Sequence, residues 1–287
     1  MSLPRSIILI LFLPVLFFGK VFFASAFTVS PLGYTLTIDP GKSQAATISI
    51  VNNEWAKHSY EISVQSLRIS EDGSRIYQKN FDPAESWVVI KPATFNLAPG
   101  AQKTVSFTIS VPRDQPPGSR SLVLMVASIP PSGQTIGLTA KSAIPIFLIV
   151  SGAVNENIII DRWQALKGLV FDRRVPLAIE IYNRGTINTG VNGTITVFDW
   201  QGRKIYDENT RFGSSIFPDS ARRLAPVITL PNRTWPGKYL VKLDLKYGVS
   251  KTAISAETEI WYLPAPLIFI IFALVIAISI FLWRRKK

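Results

Sequence analysis

Catalytic chemistry needs a nucleophile with a base, a pair of carboxylates or a cluster of metal ligands, and this sequence offers few such sets. The 287 residues contain no cysteine and a single histidine, His58. The missing cysteine excludes thiol nucleophiles, disulfides and thiolate zinc sites. His58 follows Lys57 and precedes a segment that alternates like a strand. We therefore predict an exposed loop residue at this position and not a catalytic base.

The remaining candidates for acid–base or metal chemistry are four acidic residues: Asp199, Asp207, Glu208 and Asp219. Their spacing fits no ordered calcium loop, so we interpret them as solvated loop charges. Ser119 and Ser121 lack the flanking glycines of a nucleophile elbow. The glycines match neither a Walker loop nor a dinucleotide fingerprint. The sequence predicts no cofactor, no metal site and no enzymatic activity.

The net charge of +12 suggests a nucleic-acid partner until the charges are located along the chain. Six of the 31 basic residues stand at the two apolar ends: Arg5, Lys20 and the four residues from Arg284 to Lys287. The rest of the chain has 25 basic and 19 acidic residues, which is a mildly basic surface. We predict no nucleic-acid partner, because half of the excess charge flanks the two apolar segments.

The first apolar segment is typical of a signal peptide over residues 1–26. Arg5 supplies a positive start, residues 7–18 form a short apolar run, and Ala24-Ser25-Ala26 is an A-x-A cleavage signal. The run is too short to span a bilayer, which takes roughly 20 apolar residues. Cleavage would make Phe27 the first residue of the mature chain, and an uncleaved anchor is the alternative.

The second apolar segment predicts a transmembrane helix over residues 264–283. It contains 18 residues without a charge, from Pro266 to Trp283. The predicted membrane anchor comprises Trp261, Tyr262 and Trp283 as an aromatic belt and Arg284, Arg285, Lys286 and Lys287 as a basic tail, residues 284–287. The positive-inside rule places that tail in the cytoplasm. We predict a single-pass protein of the cell membrane whose body lies outside the cytoplasm.

Alternating apolar and polar residues dominate the body and predict strands. One example runs through Val105, Phe107 and Ile109, with turn signals such as Asp72-Gly73 between such segments. Asp-Gly favours a hairpin with a type I′ turn. An immunoglobulin-like unit has about 100 residues, so the body has room for two. We predict an all-β fold of two tandem immunoglobulin-like β-sandwich domains, residues 27–153 and 154–263, besides the signal peptide and the transmembrane helix.

Five tryptophans besides Trp261 and several basic pairs lie within this body. Trp55 and Trp87 can stack on sugar rings, but a tryptophan in a sandwich more often belongs to the core, and the same holds for Trp163, Trp200 and Trp235. The basic pairs can contact anionic headgroups or wall polymers. We interpret them as ordinary surface charge. Because disulfides are usual in secreted animal domains of this type, their absence favours a bacterial or archaeal surface protein.

Three segments of the first domain resemble the N-terminal immunoglobulin-like domain of periplasmic pilus-assembly chaperones. They are the strand of residues 46–53 that ends in Asn52-Asn53, the segment 95–100 with the strand after it, and Pro117 with Arg120-Ser121-Leu122 and Ile129-Pro130-Pro131. The chaperones bind a subunit's C-terminal carboxylate with a basic residue in their last strand. Pro145 stands at that place here, which weakens the chaperone function while leaving the fold.

The order of segments along the chain is similar to that of the WxL-interacting proteins of Gram-positive cell surfaces. In that family the first domain is associated with peptidoglycan and the second with a partner surface protein. The resemblance implies a non-catalytic, membrane-anchored scaffold that binds a surface protein, peptidoglycan or an anionic wall polymer, besides the lipid bilayer.

We predict recognition through the last strand of the first domain, because strand edges present unpaired backbone groups. The candidate partner-binding residues are Lys141, Ile144, Ile146, Leu148 and Arg120. Pro145 indicates that part of this strand lies at an edge or a bulge. One alternative is a membrane-tethered assembly chaperone for secreted or surface subunits, with Lys141 or Arg120 as the basic anchor. Another is a wall-active enzyme, which would need a cleft with paired acids.

Overall fold

The computed structural model of the protein describes residues 26–129, 139–211 and 215–285. Most of these residues form strands, and a single α-helix follows at the C-terminal end of the described chain. The predicted all-β fold with one C-terminal apolar helix is therefore confirmed. The predicted signal peptide lies outside the described residues except for Ala26.

The strands before residue 151 form a first sandwich. They are β1 (Phe27–Ser30), β2 (Tyr34–Ile38), β3 (Ser43–Asn52), β4 (His58–Ile69), β5 (Arg75–Gln78), β6 (Val88–Lys91), β7 (Thr94–Leu97), β8 (Gln102–Ser110), β9 (Gly118–Ile129) and β10 (Ala140–Val150). One sheet has the order β1-β3-β8-β6, and the other has the order β2-β10-β9-β4-β5, with β7 also paired to β4. A short 3-10 helix, Pro83–Trp87, precedes β6.

Alternation along the strands explains how the first core forms. Val105, Phe107 and Ile109 of β8 are at most 1% exposed, and they face Leu122 and Leu124 of β9 in one continuous apolar cluster. The polar residues between them face solvent, as expected for sheets with one wet face. Burial of these apolar faces, worth about 25 cal/mol per Å² of apolar surface, is the main stabilising term of the sandwich.

The strands after residue 157 form a second sandwich with its own core. They are β11 (Ile158–Ala165), β12 (Leu169–Val170), β13 (Arg174–Asn183), β14 (Val191–Phe198), β15 (Lys204–Arg211), β16 (Ser220–Leu224), β17 (Val227–Thr229), β18 (Gly237–Tyr247) and β19 (Thr252–Tyr262). One sheet has the order β11-β13-β16, with β17 also paired to β13, and the other has the order β12-β19-β18-β14-β15. Alternate residues of β13 and β18 fill the core between the sheets.

The Asp72-Gly73 hairpin is present, but its turn differs from the predicted one. The chain reverses between β4 and β5, and the N–H of Gly73 donates to the carbonyl of Ser70 at 2.9 Å. Only Gly73 in this turn has a positive φ, of 94°. A type I′ turn needs positive φ at both central residues. The loop is therefore a longer one, in which Gly73 takes the left-handed position and Asp72 accepts from the N–H of Ser74 at 2.9 Å.

The C-terminal helix α1 (Ala265–Arg285) begins one residue after the predicted start at 264 and contains the whole charge-free run from Pro266 to Trp283. None of its residues is buried, and by length and composition it is the one helix of the described chain that can cross a membrane. It follows β19 almost directly. The N–H of Leu263 donates to the carbonyl of Val170 at 2.9 Å, and the N–H of Ala265 donates to the carbonyl of Phe171 at 3.1 Å. The start of the helix is thus hydrogen-bonded to the second sandwich.

Candidate functional site

Strand β10 has one strand neighbour along its first half and two along its second half. It pairs with β9 over its full length, from Ala140 to Val150. Its parallel partner β2 begins only opposite Ile146. No strand of the described chain pairs with residues 140–145 on the side away from β9. We call this stretch of unpaired backbone the open edge.

Pro145 marks the end of the open edge and shows which backbone groups point outward. Its carbonyl oxygen lies 3.3 Å from the place where a Cβ on Gly33 would stand, and Gly33 directly precedes β2. The backbone groups of Pro145 therefore face the β2 side. Successive residues of a strand point their N–H and C=O groups to opposite edges. Ala143 and Lys141 consequently point theirs into the open edge. The prediction that Pro145 lies at an edge is confirmed.

Three of the predicted partner-binding side chains lie elsewhere than expected. Ile144, Ile146 and Leu148 are at most 1% exposed and belong to the core of the first sandwich. Their side chains cannot touch a partner in this fold, because they fill the space between the two sheets. This corrects the expectation for all three residues. What the strand offers to a partner is its backbone edge, together with the exposed side chain of Lys141.

Arg120 lies far from the open edge. It stands opposite Leu148 in the β9–β10 ladder, whereas Lys141 stands opposite Ala127. The seven residues between the two β10 positions correspond to about 23 Å of strand. The guanidinium of Arg120 is 3.8 Å from the Asp82 carboxylate, and the Arg120 side chain is about one quarter exposed. The structure does not bring the two basic candidates together, so they cannot serve one small ligand.

Arg120 instead lines a cleft between the two sandwiches. The cleft has a volume of about 280 Å³, and Phe81 and Ser66 of the first sandwich face Phe217 and Asp219 of the second across it. Next to it the N–H of Ser119 donates to the carbonyl of Thr186 at 2.8 Å. The hydroxyl of Ser119 also accepts from the N–H of Asn188 at 3.1 Å.

The Pro117 to Leu122 motif, which carries part of the family resemblance, thus forms the joint between the sandwiches. Sequence reasoning missed this role. Pro117-Gly118 was the available signal, because a Cβ on Gly118 would stand 2.7 Å from the carbonyl oxygen of Thr186. Only a glycine allows the two backbones to approach so closely.

Exposed apolar side chains lie near both ends of the open edge, since Gly33 contacts Pro145 and Ser128 pairs with Ala140. Leu32, in the loop before β2, is 81% exposed, and Ile129, at the end of β9, is 42% exposed. Trp55, in the loop that leads to β4, is 97% exposed at the same end of the first sandwich. The core interpretation was wrong for Trp55. It is confirmed for Trp87, which is 7% exposed.

Of Trp163, Trp200 and Trp235, one is partly buried and two are exposed. Trp163 is half-buried against the second core, and its indole N–H donates to the carbonyl of Val241 at 3.1 Å. Trp200 and Trp235 are 67% and 77% exposed, so they do not belong to the core. Exposed tryptophans therefore occur at both ends of the described body.

His58 is not the exposed loop residue that the sequence predicts. It begins β4, is 7% exposed, and its Nδ1 lies 3.0 Å from the hydroxyl of Ser128. Strand pairing with Leu97 draws the imidazole into the sandwich, where the serine hydroxyl satisfies it. A group in this position has a structural hydrogen bond and little access to a substrate.

The four acidic residues do not gather into a site. Asp199 is 8% exposed and holds a tight turn by accepting from the N–H groups of Gln201 and Arg203, both at 2.9 Å. These hydrogen bonds lower the pKa of the Asp199 carboxyl against the opposing effect of its burial. Solvated loop charge was therefore the wrong interpretation for Asp199. In the described part of the chain, no three histidine or acidic residues come together as metal ligands.

The described residues of the predicted membrane anchor are exposed except for one. Trp261 and Trp283 are exposed, at 56% and 62%, and Arg284 and Arg285 form the last turn of α1. Tyr262 is 6% exposed and packs in the second core. Alternation along β19 turns it inward while Trp261 turns outward, which corrects its assignment to an aromatic belt. Lys286 and Lys287 lie outside the described residues.

Comparison with known proteins gives similarities of fold. No protein-family model and no curated protein matches the chain. Among solved structures, the class 5 fimbriae chaperone CfaA is 17% identical over 81% of this chain and 98% of its own, with a TM-score of 0.48. The chaperone–tip adhesin complex of the archaic Csu pili of Acinetobacter baumannii is 14% identical over 82% and 98%, with a TM-score of 0.42. The SafB chaperone–SafA pilin complex of Salmonella enterica is 12% identical over 80% and 95%, with a TM-score of 0.41.

These similar structures include pilus chaperones, the group that the first domain resembles in sequence. The layout of the WxL-interacting proteins stays a prediction.

Proposed function

We propose that this protein is a membrane-anchored, non-catalytic binding protein that holds an extended segment of a surface or secreted protein on the open edge of β10. The observation that carries the proposal is the backbone of residues 140–145, which is paired on one side only in the described chain. A partner strand added there completes the ladder, since backbone hydrogen bonds supply affinity in this mode of recognition. The apolar side chains of Leu32 and Ile129 offer adjoining contacts for the partner's side chains.

A comparison with β15 supports the choice of edge. β15 is the outer strand of the larger sheet in the second sandwich. It carries Lys204, Asp207 and Glu208, and the first two form an ion pair at 3.3 Å. Charged side chains on an edge strand oppose pairing with another strand. The open edge has one charged side chain, that of Lys141, and so presents less opposition to a partner.

The experiment that tests this proposal is photo-crosslinking with the full chain in its own cell membrane. A photoreactive amino acid replaces Lys141 in one variant and Asn209, on the outer edge of β15, in the matched control. We expect a covalent adduct with another protein from position 141 and none from position 209. Adducts of equal yield at both edges, or no adduct at position 141, would contradict the proposal.

The direction of insertion belongs to the same proposal. α1 supplies the membrane span, and the basic residues at its end favour a cytoplasmic tail. The two sandwiches would then stand outside the cytoplasm. A reporter fused after residue 287 that is active only in the cytoplasm tests this orientation, and activity of a reporter that works only outside would refute it.

A tethered assembly chaperone is a second candidate, and the cleft between the sandwiches favours it. Arg120 lines that cleft with part of its side chain exposed, as a basic anchor for a subunit would require. A chaperone releases its subunit, whereas a scaffold keeps its partner. Irradiation at successive times after a pulse of labelled protein synthesis separates the two, because the yield of labelled adduct at position 141 declines with chase time only for a chaperone.

Binding of a wall polymer is a third candidate function, and it would involve the end of the first sandwich where Trp55 lies. The indole of Trp55 is available to stack on a sugar ring. Sedimentation of the full chain, held in detergent, with purified peptidoglycan tests this idea. The Trp55→Ser variant should then stay in the supernatant, and equal sedimentation of both chains would exclude stacking by Trp55.

A further inference from the structure

We propose that the end of the second sandwich next to α1 lies in the headgroup layer of the bilayer and binds anionic lipid through exposed tryptophans and basic residues. This inference rests on α1 spanning the membrane, as in the proposed function, and concerns a surface apart from the open edge. It assigns an orientation to the body of the protein: the second sandwich is seated on the membrane.

The connection between sheet and helix leaves no flexible linker. The N–H of Trp261 donates to the carbonyl of Gly168 at 2.7 Å, and the hydrogen bonds from Leu263 and Ala265 continue the contact into the first turn of α1. Ala265 follows Trp261 by four positions, a span of at most about 14 Å. The headgroup layer on each side of a bilayer is roughly 5–8 Å thick. The end of the sandwich is therefore within reach of the lipid surface.

Three exposed tryptophans occur at this end. Trp261 lies in β19 opposite Lys238, at the start of β18. Trp235 is in the loop before β18, and Trp200 is in the turn between β14 and β15. Trp200 and Trp235 line one cleft of about 360 Å³. The hydroxyl of Tyr239 donates to the carbonyl of Trp235 at 2.6 Å, which fixes the loop.

The distribution of tryptophan in membrane proteins indicates that lipid headgroups contact this surface. Tryptophan is enriched where a membrane meets water, because its ring is apolar and its N–H is polar. Three indoles that are 56% to 77% exposed would be costly on a surface in contact with water alone. Phe171, which is 47% exposed and hydrogen-bonded through its carbonyl to the start of α1, extends the same surface.

Charge at this end complements anionic lipid. Arg233 and Lys167 are exposed and form no ion pair within the described residues. Arg203 keeps an exposed guanidinium although it contacts Asp199 at 2.8 Å. Basic residues beside a membrane attract anionic headgroups. The opposite end of the second sandwich differs. Among its described residues the most exposed apolar side chain is Val249, which stands without a tryptophan beside it in the β18–β19 turn.

The test uses the full chain in vesicles of phosphatidylcholine with roughly one third phosphatidylglycerol. Because the chain has no cysteine, a single fluorescent label can be attached at Gln201→Cys, beside Trp200, or at Val249→Cys as the matched control. Lipids with a headgroup spin label quench a fluorophore that lies in the headgroup layer. We expect strong quenching at position 201 and little at position 249.

Two further variants examine the side chains themselves. Trp200→Ser combined with Trp235→Ser should remove most of the quenching at position 201. Lys167→Gln combined with Arg233→Gln should reduce it in the anionic vesicles and leave it unchanged in pure phosphatidylcholine. Equal quenching at positions 201 and 249, or no response to the tryptophan changes, would overturn the proposal.

Two controls distinguish lipid binding at this surface from a failure of membrane anchoring and from self-association of the chain. Extraction of the chain from the vesicles by alkaline carbonate would mean that α1 is not inserted, so that the anchoring in the proposed function has failed. Crosslinking of two Gln201→Cys chains to one another at low density in the vesicles would identify a second copy as the occupant of the surface, which also overturns the proposal.

Discussion

Arg223 of β16 reaches from the second sandwich to Glu71 of the first, with 2.5 Å between its Nη1 and the Oε2 of the carboxylate. The backbone N–H of Arg223 also donates to the carbonyl of Glu71 at 2.7 Å. The other terminal nitrogen of the same guanidinium lies 2.9 Å from Oε1 of Glu180 in β13. One side chain therefore ties a hairpin turn of the first sandwich to a largely buried carboxylate of the second.

Removal of the Arg223 guanidinium should loosen the contact between the sandwiches. Spin labels at Glu61→Cys and Lys246→Cys report the distance between the two units by pulsed electron resonance. We expect Arg223→Gln to broaden the distance distribution. Glu71→Gln should broaden it less, since Arg223 then keeps its ion pair with Glu180 and the glutamine oxygen can still accept from the guanidinium. Arg203→Gln, which removes an ion pair within the second sandwich, is the control and should change nothing.

The stability of the second sandwich should depend on the charge of Glu180. The hydrogen bond and the positive charge of Arg223 lower the pKa of Glu180, with Arg162 contributing to the same effect. A lowered carboxyl pKa contributes stability above the usual glutamate value of about 4.3, and that stability is lost as the pH falls through the folded-state pKa. The difference in unfolding free energy between the unchanged chain and Glu180→Gln should therefore shrink from pH 6 to pH 3. A constant difference would mean that Glu180 keeps its usual pKa.

Two buried asparagines, each at the end of a strand, should be among the most sensitive positions for stability. Asn52 is fully buried, and its side-chain amide donates to the carbonyls of Ala56, Leu97 and Ala98 at 2.8 to 3.1 Å. Asn183 is buried to the same degree in the second sandwich, and its amide donates to the carbonyls of Ile187 and Ile216, both at 2.8 Å.

Either change to alanine removes two or three buried hydrogen bonds, each worth about 0.5–1.5 kcal/mol, although the carbonyls of Ala98 and Ile216 keep the backbone donors Ala101 and Thr189. We expect losses of about 2–4 kcal/mol in denaturant unfolding for Asn52→Ala and Asn183→Ala. The neighbouring Asn53→Ala is the control, because the Asn53 amide makes an exposed hydrogen bond to Thr28 at 2.8 Å. Similar losses for Asn52→Ala and Asn53→Ala would show that the buried network contributes little.

Alternation of apolar residues predicts the sheets of this protein because a strand turns successive side chains to opposite faces. It places Val105, Phe107 and Ile109 in the core without knowledge of their partners. The same rule predicts burial of Ile144, Ile146 and Leu148, which contradicts their choice as contact residues. Side chains that face the core cannot also contact a partner, and these three residues face the core.

Contacts between distant segments could not be predicted from the sequence. His58 and Ser128 are brought together by the pairing of β4 with β9, and Gly118 meets Thr186 only after both sandwiches have formed. A local sequence pattern does not indicate which distant residues will come into contact. The end of the open edge is an exception, since Pro145 lacks the N–H that a central strand needs and is therefore visible in the sequence.

Gly118→Ala should disturb the joint between the sandwiches. A Cβ at Gly118 would stand 2.7 Å from the carbonyl oxygen of Thr186, which is backbone and cannot move aside alone. Gly100→Ala is the control, because Gly100 also has a positive φ, of 70°, but no atom lies within 4 Å of its added Cβ. Both variants bear backbone strain of about 1–2 kcal/mol. Only Gly118→Ala should also shift the distance between labels at positions 61 and 246, and an unchanged distance would exclude a role in the joint.

Ala143→Pro should weaken partner binding while the first sandwich stays folded. The N–H of Ala143 points into the open edge, so proline there removes a donor that only a partner strand uses. Loss of one backbone hydrogen bond, about 1 kcal/mol, corresponds to roughly fivefold weaker binding. The yield of the adduct from position 141 measures the change. Ser142→Pro is the control, because the N–H of Ser142 points toward β9 and not into the open edge. Ser142→Pro should therefore lower the free energy of unfolding more than Ala143→Pro does. Equal destabilisation by the two prolines would mean that the N–H of Ala143 does not face the open edge.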